Sequence, residues 1–373
     1  MTAQTIRWGI LGTGAMAAAF ARALQGLPGA SLVAVGSRTE ASARAFAARA
    51  GVARAHGSYA GLLADPAVDV VYVATVNTTH HALCLESLAA GKPVLCEKPF
   101  ALNAAQGREI ADRARQAGLF CMEAMWTRFL PAVARFRELV RSGDVGEARL
   151  LTASLGFPYV ADPTGRQFDP SLGGGALLDL GVYPISLAHF LFGPPTQIGG
   201  RATLTATGVD AVDAITLVHG GGQISTLAAG LTVAMPNDAV VTATGGQVQL
   251  HGPLYRPDRI TVRRTSPIAP AGGGGGGGGR LAALRERPAV RALAAQVKSG
   301  LARLKGETRP IHAPYLGNGY PHQALEVIRC LRDGLCESPI MPLDESVAIL
   351  ATTDELRRQW GIRFPGELET GPA

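Results

Sequence analysis

The feature that most constrains the fold of this chain is a glycine-containing turn between an apolar run and a helical run near the N-terminus. Ile6 to Leu11 is a compact apolar segment that predicts a buried strand, and Ala18 to Leu24 has helical spacing. Positions 12–17 between them read GTGAMA, a GxGxxA pattern. The first glycine allows a tight turn, the second lets the backbone approach a pyrophosphate, and the small last residue lets the helix lie close to the sheet. This context predicts a Rossmann dinucleotide-binding domain whose helix N-terminus faces the phosphates.

The end of the second predicted strand indicates which dinucleotide is bound. Ser31 to Gly36 is the strand, and Ser37, Arg38 and Thr39 follow it. An NAD enzyme usually places an acidic residue here, about 20 residues beyond the glycines, for the ribose 2′-hydroxyl. Arg38 can instead pair with a 2′-phosphate, to which Ser37 and Thr39 can donate hydrogen bonds. We therefore predict NADP(H) as the cofactor; the alternative is an arginine that stacks on adenine and accepts either cofactor.

A lysine follows another short predicted strand. Val94 to Cys96 is an apolar run bounded by breakers, which suits the middle of a parallel sheet, and Glu97, Lys98 and Pro99 end it. Ligands bind outside the carboxyl ends of such strands, so Lys98 is expected to point into a crevice. A lysine there can hold a reacting oxygen or lower the pKa of a neighbour. The alternative is an ordinary surface lysine.

The remaining elements of the first domain complete its sheet. Val70 to Ala74 predicts a central strand. Further along the chain, Asn103 to Ala117 predicts a helix and Phe120 to Met122 the last strand. Asn77 is expected to cap a helix and His80 to lie in its first turn at the cleft, although a histidine there is more often a packing residue. We predict a doubly wound parallel sheet of about six strands in residues 1–123. Its predicted dinucleotide contacts are Gly12, Thr13, Gly14, Ala15, Met16, Ser37, Arg38, Thr75, Asn77, His80, Glu97 and Lys98.

Residues 124–373 are expected to form a second domain for substrate binding and oligomerisation. Trp126 and Arg128 lie just past the domain crossing, so they are candidates to wall a substrate pocket. Trp126 is equally a candidate for the interdomain core. The segment Tyr159 to Phe168 is also expected to contribute side chains to the pocket. Tyr320 and His322 stand at the start of a predicted penultimate helix, whose tip is a further candidate for substrate contact.

Two polar residues interrupt an apolar helical segment of the second domain. Asp179 and Tyr183 are four residues apart and therefore share one helical face. An aspartate on an apolar helix is costly unless it is paired. A tyrosine hydroxyl near Lys98 would have its phenolate favoured by the ammonium, which makes Tyr183 a candidate proton carrier for an alcohol. The alternative is a structural Asp–Lys pair beside a core tyrosine.

The second domain is predicted to be α+β, with a large, mostly antiparallel open sheet. From Thr196 to Arg264 apolar and small residues alternate between glycine and proline breaks, which predicts a meander of five or six strands. A glycine run then precedes a basic amphipathic helix over Pro288 to Lys305. We interpret residues 271–309 as an insertion whose apolar stripe packs on the second domain, on a partner subunit or over the mouth of the cleft.

Charge, cysteine content and hydropathy exclude several classes of function. The segment 280–309 carries eight basic and two acidic residues, which equals the whole net charge of +6, so we predict no nucleic-acid partner. The five cysteines form no CxxC pair, so we predict no metal site and reduced thiols in a cytoplasmic protein. The longest apolar region, 175–193, contains Asp179, Pro184 and His189, so no membrane span is expected. No secretory signal is recognised before the first strand.

The motifs together resemble the Gfo/Idh/MocA family of oxidoreductases, and within it the group of dimeric dihydrodiol dehydrogenases and NADP-dependent D-xylose dehydrogenases. The resemblance spans nearly the whole chain. It rests on the GxGxxA turn, Ser37-Arg38, AGKPVLCEKP at 90–99, MEAMWTRFLP at 122–131, GGGALLDLGVYPI at 173–185 and ESPIMPLDES at 337–346. The resemblance implies a homodimer formed through the free face of the second sheet. In the family, the residue four positions after this aspartate is histidine in some members and tyrosine in others. Tyr183 occupies that position here, which resembles the sugar and dihydrodiol branch.

The predicted activity is hydride transfer between NADP(H) and a secondary alcohol or hemiacetal carbon of a sugar, cyclic polyol or trans-dihydrodiol. In this hypothesis Lys98 holds the reacting oxygen, Tyr183 carries its proton and Asp179 orients the pair. Two alternatives remain open at this point. One is a non-catalytic NADP-binding regulator of the same fold, and the other is an NAD-assisted glycosidase.

Overall fold

Residues 5–124 contain the predicted parallel sheet. The computed structural model describes residues 5–265, 307–365 and 367. Its first sheet has six parallel strands in the order β3-β2-β1-β4-β5-β6, the doubly wound order. The strands are β1 Ile6–Leu11, β2 Ala30–Gly36, β3 Arg54–His56, β4 Val70–Val73, β5 Val94–Glu97 and β6 Cys121–Ala124. The helices are α1 Ala15–Leu24, α2 Glu40–Ala50, α3 Tyr59–Leu63, α4 His80–Ala89 and α5 Ala104–Ala117.

Local sequence explains where these helices begin and end. Thr39, Ser58 and Asn103 accept hydrogen bonds from the first turns of α2, α3 and α5, while Gly51 and Gly118 end α2 and α5 in the left-handed conformation. The strands β4, β5 and β6 are buried along their whole length because helices cover both faces of the sheet.

The predicted cap at Asn77 is wrong. Asn77 lies inside a 3-10 turn, Asn77–Thr79, that precedes α4, and it makes no side-chain cap. Its Nδ2 instead donates a hydrogen bond to the backbone oxygen of Gly173, 2.9 Å away in the second domain. Asn77 therefore ties the end of β4 to the loop that leads toward Asp179.

The second sheet has eight strands in the order β14-β13-β12-β11-β7-β10-β9-β8. Six of them lie in the segment where five or six were predicted, but the expected simple meander is wrong. Strand β7 comes from earlier in the chain and lies between β10, to which it is parallel, and β11, to which it is antiparallel. The strands are β7 Ala148–Gly156, β8 Pro195–Leu204, β9 Asp210–His219, β10 Ile224–Gly230, β11 Ala239–Ala243, β12 Gly246–Leu250, β13 Arg259–Arg264 and β14 Thr308–His312.

The predicted insertion at 271–309 falls mostly outside the described residues. Of its last three residues, Thr308 and Arg309 begin β14, which pairs with β13 at the edge of the sheet. The predicted basic helix over Pro288 to Lys305 lies wholly outside the described part of the chain.

Four further helices pack on the two sheets: α6 Pro131–Arg141, α7 Val182–Phe192, α8 Tyr320–Arg332 and α9 Leu343–Trp360. Helix α8 packs against α1, and α9 contacts both α5 and β8. Leu343, Val347 and Leu350 of α9 belong to the same buried cluster as Val71 and Val94 of the first sheet. The last helix therefore joins the two domains rather than serving the second alone.

One helical run within the described residues, Pro170–Phe192, is long and apolar enough to cross a membrane, but 89% of its apolar window is buried inside the protein. It holds the short π-helical turn Leu177–Gly181, here called the π-turn, which leads directly into α7. The apolar character of this run follows from its position in the core.

Candidate active site

A single cavity of about 1150 Å³ joins the carboxyl ends of β1, β2, β4 and β5 to side chains of the second domain. Its volume exceeds that of a typical drug-sized site, about 300–1000 Å³, and so has room for a large ligand beside a small one. All twelve residues predicted to contact a dinucleotide border this cavity. So do Lys98, Asp179, Tyr183, Trp126 and Tyr320, whereas Arg128 and His322 are not among its lining residues.

The glycine turn at one end of the cavity fits a dinucleotide. Gly12 has φ +106°, and a Cβ there would lie 2.4 Å from the backbone oxygen of Ala74, so no other residue fits. A Cβ on Gly14 would meet nothing within 4 Å. The backbone is thus closed against β4 at Gly12 and open toward the cavity at Gly14, beside the N-terminus of α1. That is the place where backbone N–H groups and the helix dipole favour a phosphate.

The end of β2 supplies a cation near the cavity. Ser37 and Arg38 line it together with Thr39, Ser42 and Tyr59. Arg38 makes no ion pair with a described carboxylate. Burial raises the pKa of the Tyr59 hydroxyl, and the nearby positive charge of Arg38 opposes that rise. The guanidinium of Arg38 is therefore available for an anionic group of a ligand.

Lys98, Asp179 and Arg166 form a charge cluster at the other end, in which the side chains of Lys98 and Asp179 are largely buried and that of Arg166 is 43% exposed. Lys98 Nζ donates to the backbone oxygen of Asp179 and lies 3.3 Å from its Oδ1, and Arg166 donates to the same Oδ1 at 3.0 Å. Burial opposes ionisation of Asp179, but Lys98 and Arg166 outweigh it and lower the carboxyl pKa. Burial would also lower the pKa of Lys98, yet Tyr183 and Asp179 raise it overall. The cluster holds a carboxylate and two cations at neutral pH.

Tyr183 lies against this cluster. Lys98 Nζ stands 4.9 Å from the centroid of the Tyr183 ring, over its face, and Trp126 Nε1 donates to the hydroxyl at 3.1 Å. Burial raises the pKa of Tyr183, and this rise is larger than the lowering by the Lys98 ammonium, which favours the phenolate as expected, and by the Trp126 hydrogen bond. Tyr183 therefore rests as a neutral phenol whose ionised form Lys98 and Trp126 partly stabilise.

Glu97 and His80 are buried residues near the carboxyl ends of β5 and β4, and both are fixed by hydrogen bonds. The Tyr72 hydroxyl donates to Glu97, and burial raises the pKa of the Glu97 carboxyl. His80 Nδ1 lies 2.8 Å from the backbone oxygen of Pro99, and Nε2 lies 3.4 Å from that of Thr75. Burial lowers the pKa of His80 to about 4, so its ring is neutral. The imidazole is fully buried, which favours the packing alternative over direct contact with a cofactor.

Aromatic rings build the wall between the two domains. The Trp126 and Tyr320 rings stack with centroids 4.6 Å apart and planes 14° from parallel. The Tyr320 hydroxyl lies 3.0 Å from Met16 Sδ in the glycine turn. Tyr255 lies 6.0 Å from Trp126 and 6.4 Å from Tyr183 between ring centroids. Trp126 thus serves as interdomain core and as pocket wall at the same time.

The expected substrate contacts of Arg128 and His322 do not match the geometry. Arg128 is 2% exposed, donates to Ser186 and forms an ion pair with Glu345 at 2.7 Å. His322 Nε2 accepts a hydrogen bond from the backbone N–H of Leu316, so it closes its own loop. Helical phase explains the difference at α8, because Tyr320 faces the cavity and a residue two positions on faces away.

Sequence reasoning did not single out Tyr255 and Arg256 of the wall, which come from the loop between β12 and β13. A polar loop after a strand occurs many times in this chain, so nothing local marked these two residues. Arg166 comes from the loop before the π-turn, within the segment Tyr159 to Phe168 that was expected to contribute to the substrate pocket. Its contact with Asp179 was not expected.

Comparison with known proteins agrees with this geometry. A parallel sheet with a glycine turn at the end of its first strand defines a dinucleotide-binding protein. Residues 6–125 match the model of the oxidoreductase family with an NAD-binding Rossmann fold, and residues 133–250 match the GFO/IDH/MocA C-terminal domain. The chain belongs to the Gfo/Idh/MocA family of oxidoreductases, and both the predicted family and the predicted fold class are confirmed.

Its relatives include trans-1,2-dihydrobenzene-1,2-diol dehydrogenases. Those of Mus musculus and Homo sapiens are each 33% identical over 374 residues, covering 97% of this chain and 99% of the relative. Among solved structures, aldose-aldose oxidoreductase from Caulobacter crescentus complexed with glycerol has a TM-score of 0.78 at 21% identity and covers 95% of this chain and 97% of its own.

A second solved structure has the same fold: the 3-ketoreductase KijD10 from Actinomadura kijaniata, in complex with NADP and TDP-benzene. It has a TM-score of 0.74 at 22% identity and covers 95% of this chain and 98% of its own. An oxidoreductase from Agrobacterium radiobacter with NAD+ has a similar TM-score of 0.74 at 18% identity, with 96% and 97% covered. The prediction of an oxidoreductase is confirmed, and the neighbours bind either form of the cofactor.

Proposed function

We propose that this enzyme transfers a hydride between NADP(H) and a secondary alcohol or hemiacetal carbon of a sugar, cyclic polyol or trans-dihydrodiol. The observation that carries the proposal is the contact of Lys98 with Asp179 and with the Tyr183 ring inside a cavity that begins at the glycine turn. The relatives named as dihydrodiol dehydrogenases and the fold neighbours that act on aldoses or ketones support the substrate class.

The preference for NADP(H) rests on the end of β2. No acidic side chain lines the cavity there, while Arg38 and the hydroxyls of Ser37 and Thr39 do. A guanidinium with free donors suits a 2′-phosphate, because paired N–H groups match phosphate oxygens. The ribose 2′-hydroxyl of NAD would leave this charge without a partner.

The chain's own residues handle the proton and the reacting oxygen. A bound nicotinamide cofactor supplies the hydride chemistry. Tyr183, a neutral phenol at rest, donates its proton to the oxygen of a carbonyl substrate; in the opposite direction its phenolate form takes the hydroxyl proton of an alcohol. Lys98 stabilises the negative charge that then develops on Tyr183 or on the substrate oxygen. Asp179 keeps Lys98 charged and fixed, and Arg166 holds Asp179 from the other side.

The test is the change in reduced-nicotinamide absorbance when the purified protein is mixed with NADP and a panel of aldoses, inositols and trans-dihydrodiols. NAD is run in parallel, and ketoses and diketones are run with NADPH. Turnover on any member by the wild type, at least about 100-fold above the Lys98→Met variant, supports the proposal. Equal rates for the two proteins, or silence in both directions with tight NADPH binding by fluorescence, contradict it.

We further propose that the protein is a homodimer formed through the open sheet. The large apolar side chains of Leu204 and Ile224, on β8 and β10, are 50% and 41% exposed, which suits a face covered by a second copy. Light scattering should then give about twice the chain mass of 38.6 kDa. A mass equal to one chain at micromolar concentration contradicts this proposal.

A further inference from the structure

Two buried carboxyl groups lie behind the π-turn and take no part in lining the cavity. Asp210 and Asp213 belong to β9, and each is 1% exposed. Neither forms an ion pair within 4 Å of a described basic side chain. Unpaired buried carboxylates are costly, so this pair needs a physical explanation.

Asp210 is fitted to the backbone of the loop that enters the π-turn. Its Oδ2 accepts a hydrogen bond from the N–H of Leu177, the first residue of the π-turn, at 2.5 Å. A Cβ on Gly175 would lie 2.3 Å from Asp210 Oδ1, so only a glycine lets the carboxyl lie this close. The backbone N–H of Asp179 in turn donates to Gly175, at 3.2 Å. Asp210 therefore holds the start of the π-turn by a hydrogen bond at Leu177 and packs closely against Gly175, in the segment that presents Asp179 to Lys98.

Asp213 explains how Asp210 stays in place. No described N–H or O–H donates to either oxygen of Asp213, and both oxygens are buried. The group that acts on it is the Asp210 carboxyl. Two carboxyl groups in contact disfavour a second negative charge. Burial and the charge of Asp210 raise the pKa of Asp213 well above its ordinary value. Burial also raises the pKa of Asp210, but the Leu177 N–H and the neighbouring Asp213 oppose that rise.

One further charged group faces this pair from a packed element. Arg357 of α9 lies near enough to lower the pKa of Asp210. Its guanidinium is bound by Asp354, Glu367 and the backbone oxygen of Leu102, so it is not the direct partner of either aspartate. Within the π-turn, the carboxylate of Asp179 is turned toward Lys98 and Arg166.

We propose that Asp213 is protonated and donates a hydrogen bond to Asp210, and that the two act as positioning residues which hold the π-turn so that Asp179 meets Lys98. The proton gives the Asp213 carboxyl, whose oxygens have no described donor, a hydrogen bond to Asp210, while Asp210 Oδ2 holds the Leu177 N–H. The part of this inference that concerns catalysis rests on the proposed function; the shared proton does not.

The variants Asp213→Asn and Asp213→Val distinguish a role of Asp213 as a hydrogen-bond donor from a role in packing alone. Asparagine keeps a donor to Asp210 at every pH, so its kcat is expected to stay within about twofold of wild type near neutrality. Valine removes the donor and should lower kcat about tenfold or more with the Kd for NADPH unchanged, because misplacement of an active-site group costs rate rather than cofactor affinity. A packing role alone predicts the same effect for both variants, and that result overturns the proposal.

The pH profile and an infrared spectrum give two further readouts. Asp213 loses its proton as pH rises, so the ratio of kcat for Asp213→Asn to kcat for wild type should increase toward alkaline pH; a flat ratio contradicts the proposal. The infrared difference spectrum of wild type minus Asp213→Asn should contain the C=O stretch of a protonated carboxyl. This band is measured without substrate, so its absence overturns the shared proton even if no substrate is turned over, and its presence upholds it. Thermal unfolding shows whether each variant folds. If Asp213→Val does not fold, the infrared readout decides, because it uses only wild type and Asp213→Asn.

Discussion

The two halves of the cavity are built in different ways. The dinucleotide half consists of backbone turns at the ends of neighbouring strands, where Gly12 excludes every other side chain and Gly14 leaves open space. The opposite half consists of side chains from distant segments, such as Lys98, Trp126 and Tyr183, which contact one another through rings and charges. A backbone site binds a common ligand by shape, whereas a side-chain site can change its chemistry by substitution. We therefore expect substitutions in the first half to change affinity and those in the second to change rate.

The largest predicted effect is that of Tyr183→Phe, which tests the side-chain half. Removal of the hydroxyl takes away the proposed proton carrier and leaves the ring beneath Lys98 in place. We expect kcat to fall about 10³-fold with the Kd for NADPH unchanged within about twofold, as general acid–base groups contribute about 10²–10⁴-fold. The measurement is steady-state turnover with fluorescence titration of NADPH. If Tyr183→Phe retains near-normal turnover, the proton carrier is another group.

The second prediction tests the backbone half at Arg38, the cation that follows β2 and lines the cavity. Arg38→Gln should weaken NADPH binding about 10–100-fold, because a charge-assisted pair with a 2′-phosphate is lost. NADH affinity should change by less than about threefold, since the ribose hydroxyl needs no cation. The two Kd values are compared by fluorescence, with Arg44→Gln as control, because Arg44 pairs with Glu40 on the exposed face of α2. An equal loss for both cofactors would mean that Arg38 stacks on adenine.

The same contrast decides what can be predicted from the sequence. The glycine turn, Ser37 and Arg38 after β2, and Lys98 after β5 are recognised by spacing along a few neighbouring residues, and each of the dinucleotide contacts predicted from them borders the cavity. Asp179 and Tyr183 are recognisable because polar residues in an apolar helix need partners. Tyr255 and Arg256 are not, since the folding back of a loop brings them to the wall and no local pattern specifies that path. The segment that contains Arg166 is expected at the pocket, but the contact of Arg166 with Asp179 depends on that tertiary path.

The errors have the same physical origin. Asn77 has the side chain of a helix cap, but tertiary contact with Gly173 competes for its amide. The β7 strand was not expected between β10 and β11, because nothing local specifies which strands pair. The net direction of the Tyr183 pKa could not be predicted either: Lys98 lowers that pKa as expected, but burial, which a sequence does not show, outweighs this one nearby cation.

The third prediction concerns the hydrogen bond from Trp126 to Tyr183. Trp126→Phe keeps the ring beside Tyr320 but removes the N–H donor that lowers the pKa of Tyr183. The pKa of Tyr183 should therefore rise further, and the limb of alcohol oxidation that increases with pH should move upward by about one pH unit. The measurement is kcat against pH, with Tyr255→Phe as a control that keeps every hydrogen bond to Tyr183. A profile unchanged from wild type would show that Tyr183 does not titrate in this limb.

The smallest predicted effect separates residues that border the cavity from those that are only close to it in sequence. His322 lies two residues after Tyr320, yet its Nε2 is occupied by the N–H of Leu316, and it does not line the cavity. His322→Gln should change the substrate KM by less than about twofold, whereas Tyr320→Leu should raise KM about tenfold, because it removes a ring that stacks on Trp126 over the pocket. Both values come from initial rates at saturating NADP. If His322→Gln raises KM as much as Tyr320→Leu does, then the start of α8 moves toward the substrate when ligands bind. The side-chain half of the cavity would then include His322, which does not line it in this structure.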